Sequence, residues 1–152
     1  MIKSILFVCL GNICRSPMAE TIMRELILER GMADQVMVDS AGIANYHEGE
    51  RADSRMRSHA ADHGYDILHR SRPVLEEDFY KFDLIVGMDS SNVRDLEYKR
   101  PADSESRIEM VAKYVTPPQP CPDPYYGGAE GFEFVITLLE EACENILKHE
   151  IL

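Results

Sequence analysis

Cys9 and Arg15 stand at the two ends of Cys9-Leu10-Gly11-Asn12-Ile13-Cys14-Arg15, and together they describe a nucleophile and an oxyanion clamp. A cysteine attacks through its thiolate, which is favoured where the surrounding field is positive. An arginine offers a planar fork matched to two phosphate oxygens, where a lysine offers a point charge. Between them Gly11 accepts backbone angles that other residues resist, and Asn12 tolerates left-handed geometry. A loop curled in this way turns several N–H groups inward as an anion nest. Ser16-Pro17 reads as a helix start, so residues Cys9 to Ser16 lie on a helix N-terminus, whose free N–H groups and dipole favour a bound phosphate and a thiolate alike. Two roles are open to Ser16: capping the helix, and donating its hydroxyl to the Cys9 sulfur. The spacing alone is weak evidence, and a structural turn with a buried cysteine competes with it. The context of buried strand, Gly-Asn loop and amphipathic helix favours the chemistry.

Transfer of a phosphoryl group to a thiolate also requires an acid at the leaving oxygen and later a base for water. With 27 acidic residues, chemistry does not choose among them. Asp123 stands out because it lies in Thr116-Pro117-Pro118-Gln119-Pro120-Cys121-Pro122-Asp123-Pro124, where prolines stiffen the backbone and would hold a carboxyl at fixed reach. An exposed turn aspartate and a proline-rich ligand for a partner domain remain alternatives.

These side chains need elements to position them. Ile5 to Val8 is continuously apolar, as in an inner strand. Met18, Ala19, Ile22, Met23, Leu26 and Ile27 recur at helical spacing up to Gly31. Val36-Met37-Val38 predicts a second strand leading to Ser40-Ala41-Gly42. Asp53 suits the N-cap of a helix carrying Met56 and Ala60, ended by Gly64. Phe82 to Met88 reads as a third strand, Asp89 or Ser90 as a cap for a helix with Val93 and Leu96, and Ile108 to Val111 as a weaker strand interrupted by Glu109. Val135, Ile136, Leu139, Ala142, Cys143, Ile146 and Leu147 mark a long closing helix. Strands alternating with helices imply a doubly wound parallel α/β sheet covered on both faces, with ligands outside the carboxyl ends of the strands. Cys9, Ser40 and Met88 to Asp89 fall at such ends.

A length of 152 residues fits one domain spanning 1–152. The net charge of −11 disfavours a nucleic-acid surface, so an anionic substrate has to be captured locally. No apolar run approaches the roughly 18 residues of a membrane span, and no signal segment is evident, which points to a cytoplasmic protein. The four cysteines show no paired zinc spacing and are few for a disulfide scaffold of this size, which argues for a reducing compartment.

The segment Val8 to Pro17, with Asp123-Pro124-Tyr125-Tyr126-Gly127 downstream and Asp39-Ser40-Ala41-Gly42, His69-Arg70-Ser71-Arg72 and Gly87-Met88-Asp89-Ser90-Ser91-Asn92 between, resembles the low-molecular-weight protein tyrosine phosphatases over essentially the whole chain. The resemblance implies a four-stranded sheet and a phosphate-binding loop made of Cys9, Leu10, Gly11, Asn12, Ile13, Cys14, Arg15 and Ser16. It implies Cys9 as nucleophile, Arg15 as clamp and Asp123 as acid and base, with no metal and no cofactor. Asn12, Ser16, Ser40 and His69 would hold the loop's shape; for His69 the alternative is a solvent-facing ring. Leu10, Ile13, Tyr46 and Tyr125 would wall the cleft, and Ile13, where related arginine phosphatases carry Thr, favours phosphotyrosine. Cys14 resembles a second loop cysteine that forms a disulfide with the nucleophile, against the alternative of a small buried residue. Tyr125 and Tyr126 resemble a pair phosphorylated in some members. The implied partners are a phosphotyrosine protein or peptide and a cognate tyrosine kinase; a monomer is the expectation for the chain, though the sequence does not determine its oligomeric state.

Three other functions fit less well. Arsenate reduction on this fold uses two further cysteines where this chain has Gly87-Met88-Asp89-Ser90. A catalytically dead phosphotyrosine-binding module would not need Cys9, Arg15, Ser16 and Asp123 together, and a flavin-binding domain would need no thiolate-arginine pair.

Overall fold

The computed structural model describes residues 2–125 and 127–152. Its first strand, β1 (Ser4–Cys9), is buried along its whole length because it has neighbours on both edges and helices on both faces. β2 (Met37–Gly42), β3 (Leu84–Gly87) and β4 (Arg107–Met110) complete a four-stranded sheet in the order β2-β1-β3-β4, with every pairing parallel. Alternation along β1 splits the core. Ile5, Phe7 and Cys9 join one cluster with the buried faces of α1 (Arg15–Glu29) and α5 (Ala129–Ile146), while Leu6 and Val8 join Phe79, Phe82, Ile85 and Leu96 on the other. This is the doubly wound arrangement the sequence pattern predicts.

Several boundaries differ from expectation. The second strand runs on through Ser40 to Gly42. The third is confined to residues 84–87 because Phe79 and Phe82 belong to a four-residue helix, α3 (Asp78–Lys81), and its exit, too short to show periodicity. Glu109 does not interrupt β4, which is an edge strand with partly exposed positions where a charged residue is tolerated. Val111 has left the strand for a single 3-10 turn, Val111–Tyr114. α2 (Ser54–Asp62) and α4 (Ser90–Lys99) start as expected, at Asp53 and Asp89, whose carboxylates accept first-turn N–H groups. α5 passes into one π-helical turn, Leu147–Ile151. None of the described helices is long and apolar enough to cross a membrane.

β1, β2 and β3 end side by side, with Cys9 opposite Gly42 and Val8 opposite Gly87. That carboxyl edge is where the loop after β1 emerges.

Candidate active site

Residues 10–14 reach α1 in a tight arc whose carbonyls are held from outside. The carbonyl of Cys9 accepts from Ile43 N, that of Leu10 from Ala44 N, that of Gly11 from the Ser71 hydroxyl and that of Ile13 from Asp53 N. Among the described residues the amides of residues 10–14 have no such outward partner, so they remain for the concave side, as an anion nest requires. Gly42 permits the close approach: a Cβ there would stand 3.0 Å from the Leu10 carbonyl and 3.1 Å from the Asn12 Cβ.

Asn12 is the keystone of this arc. Its φ of 57° lies in the left-handed region that asparagine tolerates. Its Nδ2 donates to Ser16 Oγ at 2.8 Å and Ser40 Oγ at 3.1 Å, and its Oδ1 accepts from Arg72 N at 3.0 Å and faces His69 Nε2 at 2.8 Å. The residues expected to hold the loop are therefore in contact, and His69 is drawn inward. Behind them lies Glu20, which the sequence did not flag. Its Oε1 accepts from Ser40 Oγ at 2.7 Å and meets His69 Nδ1 at 3.0 Å. Burial pushes the Glu20 carboxyl up, but hydrogen bonding and charge from His69, with Ser40 and Arg24 behind, outweigh it and hold the group below the usual carboxylate range.

Ser16 is not the helix cap. The cap position is Cys14, whose side chain makes no capping bond, and Ser16 lies one residue inside the helix. Its fully buried hydroxyl, having accepted from Asn12, has its own proton left for Cys9 Sγ 3.0 Å away. A hydroxyl there stabilises charge on sulfur.

Arg15 is buried to 3% exposure. One terminal nitrogen donates to Asp89 Oδ2 at 2.8 Å and to the Cys121 carbonyl at 3.1 Å. The other lies 3.8 Å from Asp123 Oδ2. Burial opposes the guanidinium charge, but Cys9, Asp89 and Asp123 more than offset it, so the charge is held more firmly than in water. Asp89 thus does two jobs, capping α4 through Oδ1 and steering Arg15 through Oδ2. The sequence suggested only the first. Cys121, for which the sequence offered no partner, contributes its carbonyl, while burial pushes its thiol up to about 12. Asp123 Oδ1 accepts from Tyr125 N at 3.0 Å, a local turn that fixes a half-exposed carboxylate at the mouth.

Together these groups line a cavity of about 270 Å³ formed by Cys9, Leu10, Gly11, Ile13, Cys14, Arg15, Tyr46, His47, Asp123 and Tyr125. All four expected wall residues are present. His47, which the sequence did not single out, covers Gly11 so closely that a Cβ there would meet its ring at 3.2 Å. Arg55 lies over the Tyr125 ring at 5.3 Å and over the Phe132 ring at 5.0 Å. Tyr126 lies outside the described residues.

All four cysteines are free thiols. Burial, reinforced by Asp53 and Cys9, pushes the Cys14 thiol up. Cys143 is fully buried on α5, and burial raises its thiol likewise. Glu20, Asp39 and His69 bring ligand-type atoms within 4.8 Å of one another, but Glu20 Oε1 and both His69 nitrogens are already engaged in the loop-supporting network.

Comparison with known proteins meets this geometry from another direction. A Synechocystis sp. relative named for the low molecular weight protein-tyrosine-phosphatases is 45% identical over 94% of this chain and 93% of its own. The crystal structure of a protein tyrosine phosphatase from Entamoeba histolytica superposes with a TM-score of 0.91 at 44% identity, covering 96% of this chain and 95% of that one. A Drosophila arginine phosphatase superposes with a TM-score of 0.90 at 34% identity, covering 97% and 98%. The two solved structures carry different phosphoamino acids in their names, so the scaffold alone does not choose the substrate. The family model for low molecular weight phosphotyrosine protein phosphatase matches residues 4–151, a span that contains β1, the anchored loop and the Asp123 segment alike, and the chain belongs to that family.

Proposed function

We propose that this chain hydrolyses phosphotyrosine and simpler aryl phosphates through a phosphocysteine, without a metal. The Cys9 thiolate attacks phosphorus, the bond to the leaving oxygen breaks, and Asp123 delivers a proton to that oxygen. Asp123, now a carboxylate, takes a proton from water as the water attacks phosphorus, and inorganic phosphate departs from Cys9 with the sulfur again a thiolate. Arg15 and the amides of the loop hold the three remaining oxygens throughout. The observation that carries this reading is the convergence of Cys9, Arg15 and Asp123 on one cavity, with Ser16 Oγ 3.0 Å from the sulfur.

The ring of phosphotyrosine fits between Leu10, Ile13, Tyr46 and Tyr125, and the aliphatic Ile13 gives a guanidinium leaving group no hydrogen-bond partner. A phosphotyrosine protein or peptide is then the substrate, and a cognate tyrosine kinase the activity opposed. A monomer in a reducing cytoplasm completes the reading. The test is hydrolysis of para-nitrophenyl phosphate in chelator at pH 5 to 7. Native protein turns over and Cys9→Ser is inert; equal activity in both would remove Cys9 as the nucleophile.

A further inference from the structure

Beside the phosphate cavity lies a second one of about 390 Å³, lined by Ile13, His47, Glu50, Arg51, Ala52, Asp53, Ser54, Arg57 and Tyr125. Ile13, His47 and Tyr125 line both, so a peptide with its phosphotyrosine in the first has the second under a neighbouring residue. We propose that this groove is an anion subsite, in which Arg51 and Arg57 receive an acidic group on a residue flanking phosphotyrosine. The inference rests on the phosphatase reading and specifies its substrate class.

Of the two carboxylates of the groove, Asp53 is matched in charge by a guanidinium and Glu50 meets only a histidine ring, which leaves one carboxylate against two arginines. Glu50 Oε2 faces His47 Nδ1 at 3.1 Å. Asp53 accepts the N–H groups of Arg55 and Met56 and binds the Arg55 guanidinium through both oxygens, at 3.1 and 2.9 Å. Those contacts hold the Asp53 carboxyl below the usual range against the opposing effect of its burial. The arginines, in contrast, are not matched. Arg57 spends only its Nε, on the Ala52 carbonyl at 2.9 Å, and among the described residues neither Arg57 nor Arg51 has a carboxylate within 4.0 Å. Arg70 pairs with Arg51 across an antiparallel backbone bridge and donates to the Gly49 carbonyl, again with no carboxylate partner among the described residues. In a chain of net charge −11, two arginines without a carboxylate partner line the groove beside the substrate cavity, with Arg70 bridged to one of them through the backbone, and they form a local positive field facing a substrate that the rest of the surface repels.

The occupant is therefore a carboxylate or a phosphate within a few residues of the phosphotyrosine, recognised by guanidinium forks. The experiment measures kcat/KM for phosphotyrosine peptides carrying Glu, Gln or phosphoserine at each of the three positions on either side, with para-nitrophenyl phosphate as the reference substrate. Native protein prefers the Glu peptide over its Gln counterpart by about fivefold at one or more positions, as two partly exposed charge pairs allow, and the preference shrinks as salt rises. A larger gain with phosphoserine identifies a second phosphate as the better ligand; a larger gain with Glu identifies a carboxylate. Arg51→Gln and Arg57→Gln each reduce the preference while turnover of para-nitrophenyl phosphate, which has no flanking residue, stays at the native level. A native enzyme indifferent to flanking charge, or a preference that survives both substitutions together, overturns the subsite. Failure of the phosphatase reading shows separately, as an absence of turnover on every substrate.

Discussion

At the scale of single residues the site depends on how few side-chain atoms are left uncommitted. Asp123 spends Oδ1 on the Tyr125 amide, which leaves Oδ2, on the side of Arg15, as the oxygen able to carry a proton to a leaving group. Asp123→Asn keeps that turn and removes the proton. Turnover of phosphotyrosine, whose phenolate leaves poorly, should fall by about 10²-fold or more, while para-nitrophenyl phosphate, whose leaving group needs little protonation, loses far less. Steady-state kinetics on the two substrates check this, and equal losses would take Asp123 out of the acid step. Much of this constellation is legible in the sequence because Cys9, Asn12, Arg15 and Ser16 lie within one short loop after an apolar run. Glu20 is not legible. A carboxylate one turn into an amphipathic helix reads as solvent-facing, and only the fold brings Ser40 and His69 against it. The same holds for Asp89, whose contact with Arg15 spans 74 positions, and for the Cys121 carbonyl, which spans 106.

Among the elements, α2 links the site to the closing helix. Its N-cap residue donates its backbone N–H to the Ile13 carbonyl, and near its far end His59 and His63 both bind Glu133 of α5, at 2.6 and 2.7 Å, with the His59 ring stacked on Phe132. The hydrogen bond to Glu133 raises His63, helped by the charge of Glu133, Glu140 and Asp62, and Glu133 is lowered by His63 and then His59. A raised histidine contributes stability below its ordinary value near 6.5 and loses it as pH climbs through the folded value. A lowered glutamate contributes above its ordinary value near 4.5 and loses it as pH drops through the folded one. The clamp is therefore strongest between about pH 4.5 and 6.5. Glu133→Gln should lower the melting temperature at pH 5.5 and have a smaller effect at pH 9; thermal melts at the two values decide, and an equal loss at both would show that the charges are idle. The periodic helices and apolar strands around this clamp were visible as patterns. The short α3 was not, since four residues complete barely one turn.

Taken whole, the molecule is an acidic body with a preformed anion hole. The loop carbonyls are fixed from outside and Arg15 is held by Asp89 and Cys121, so an oxyanion that occupies the nest binds the native state and not the unfolded chain. Inorganic phosphate or vanadate should then stabilise the fold, by about 2.7 kcal/mol at a hundred times its dissociation constant. Arg15→Lys should weaken that gain, because a point charge replaces the fork. Melting temperature against oxyanion concentration measures both, and a native protein that does not respond would mean that the nest is not formed in solution.

Asn12 bonds to Ser40, His69 and Arg72, respectively 28, 57 and 60 positions along the chain, and Arg15 waits on groups farther still. The first seventeen residues thus hold the nucleophile, its clamp and the Asn12–Ser16 contact, but not the remote partners that fix Asn12 and Arg15 in place. A growing or partly denatured chain carries an ordinary cysteine there, and hydrolytic power arrives only after remote stretches have docked. Activity in this protein is accordingly a report on completed folding: a fragment that stops short of Cys121 lacks both a remote contact of Arg15 and the acid proposed for the leaving oxygen.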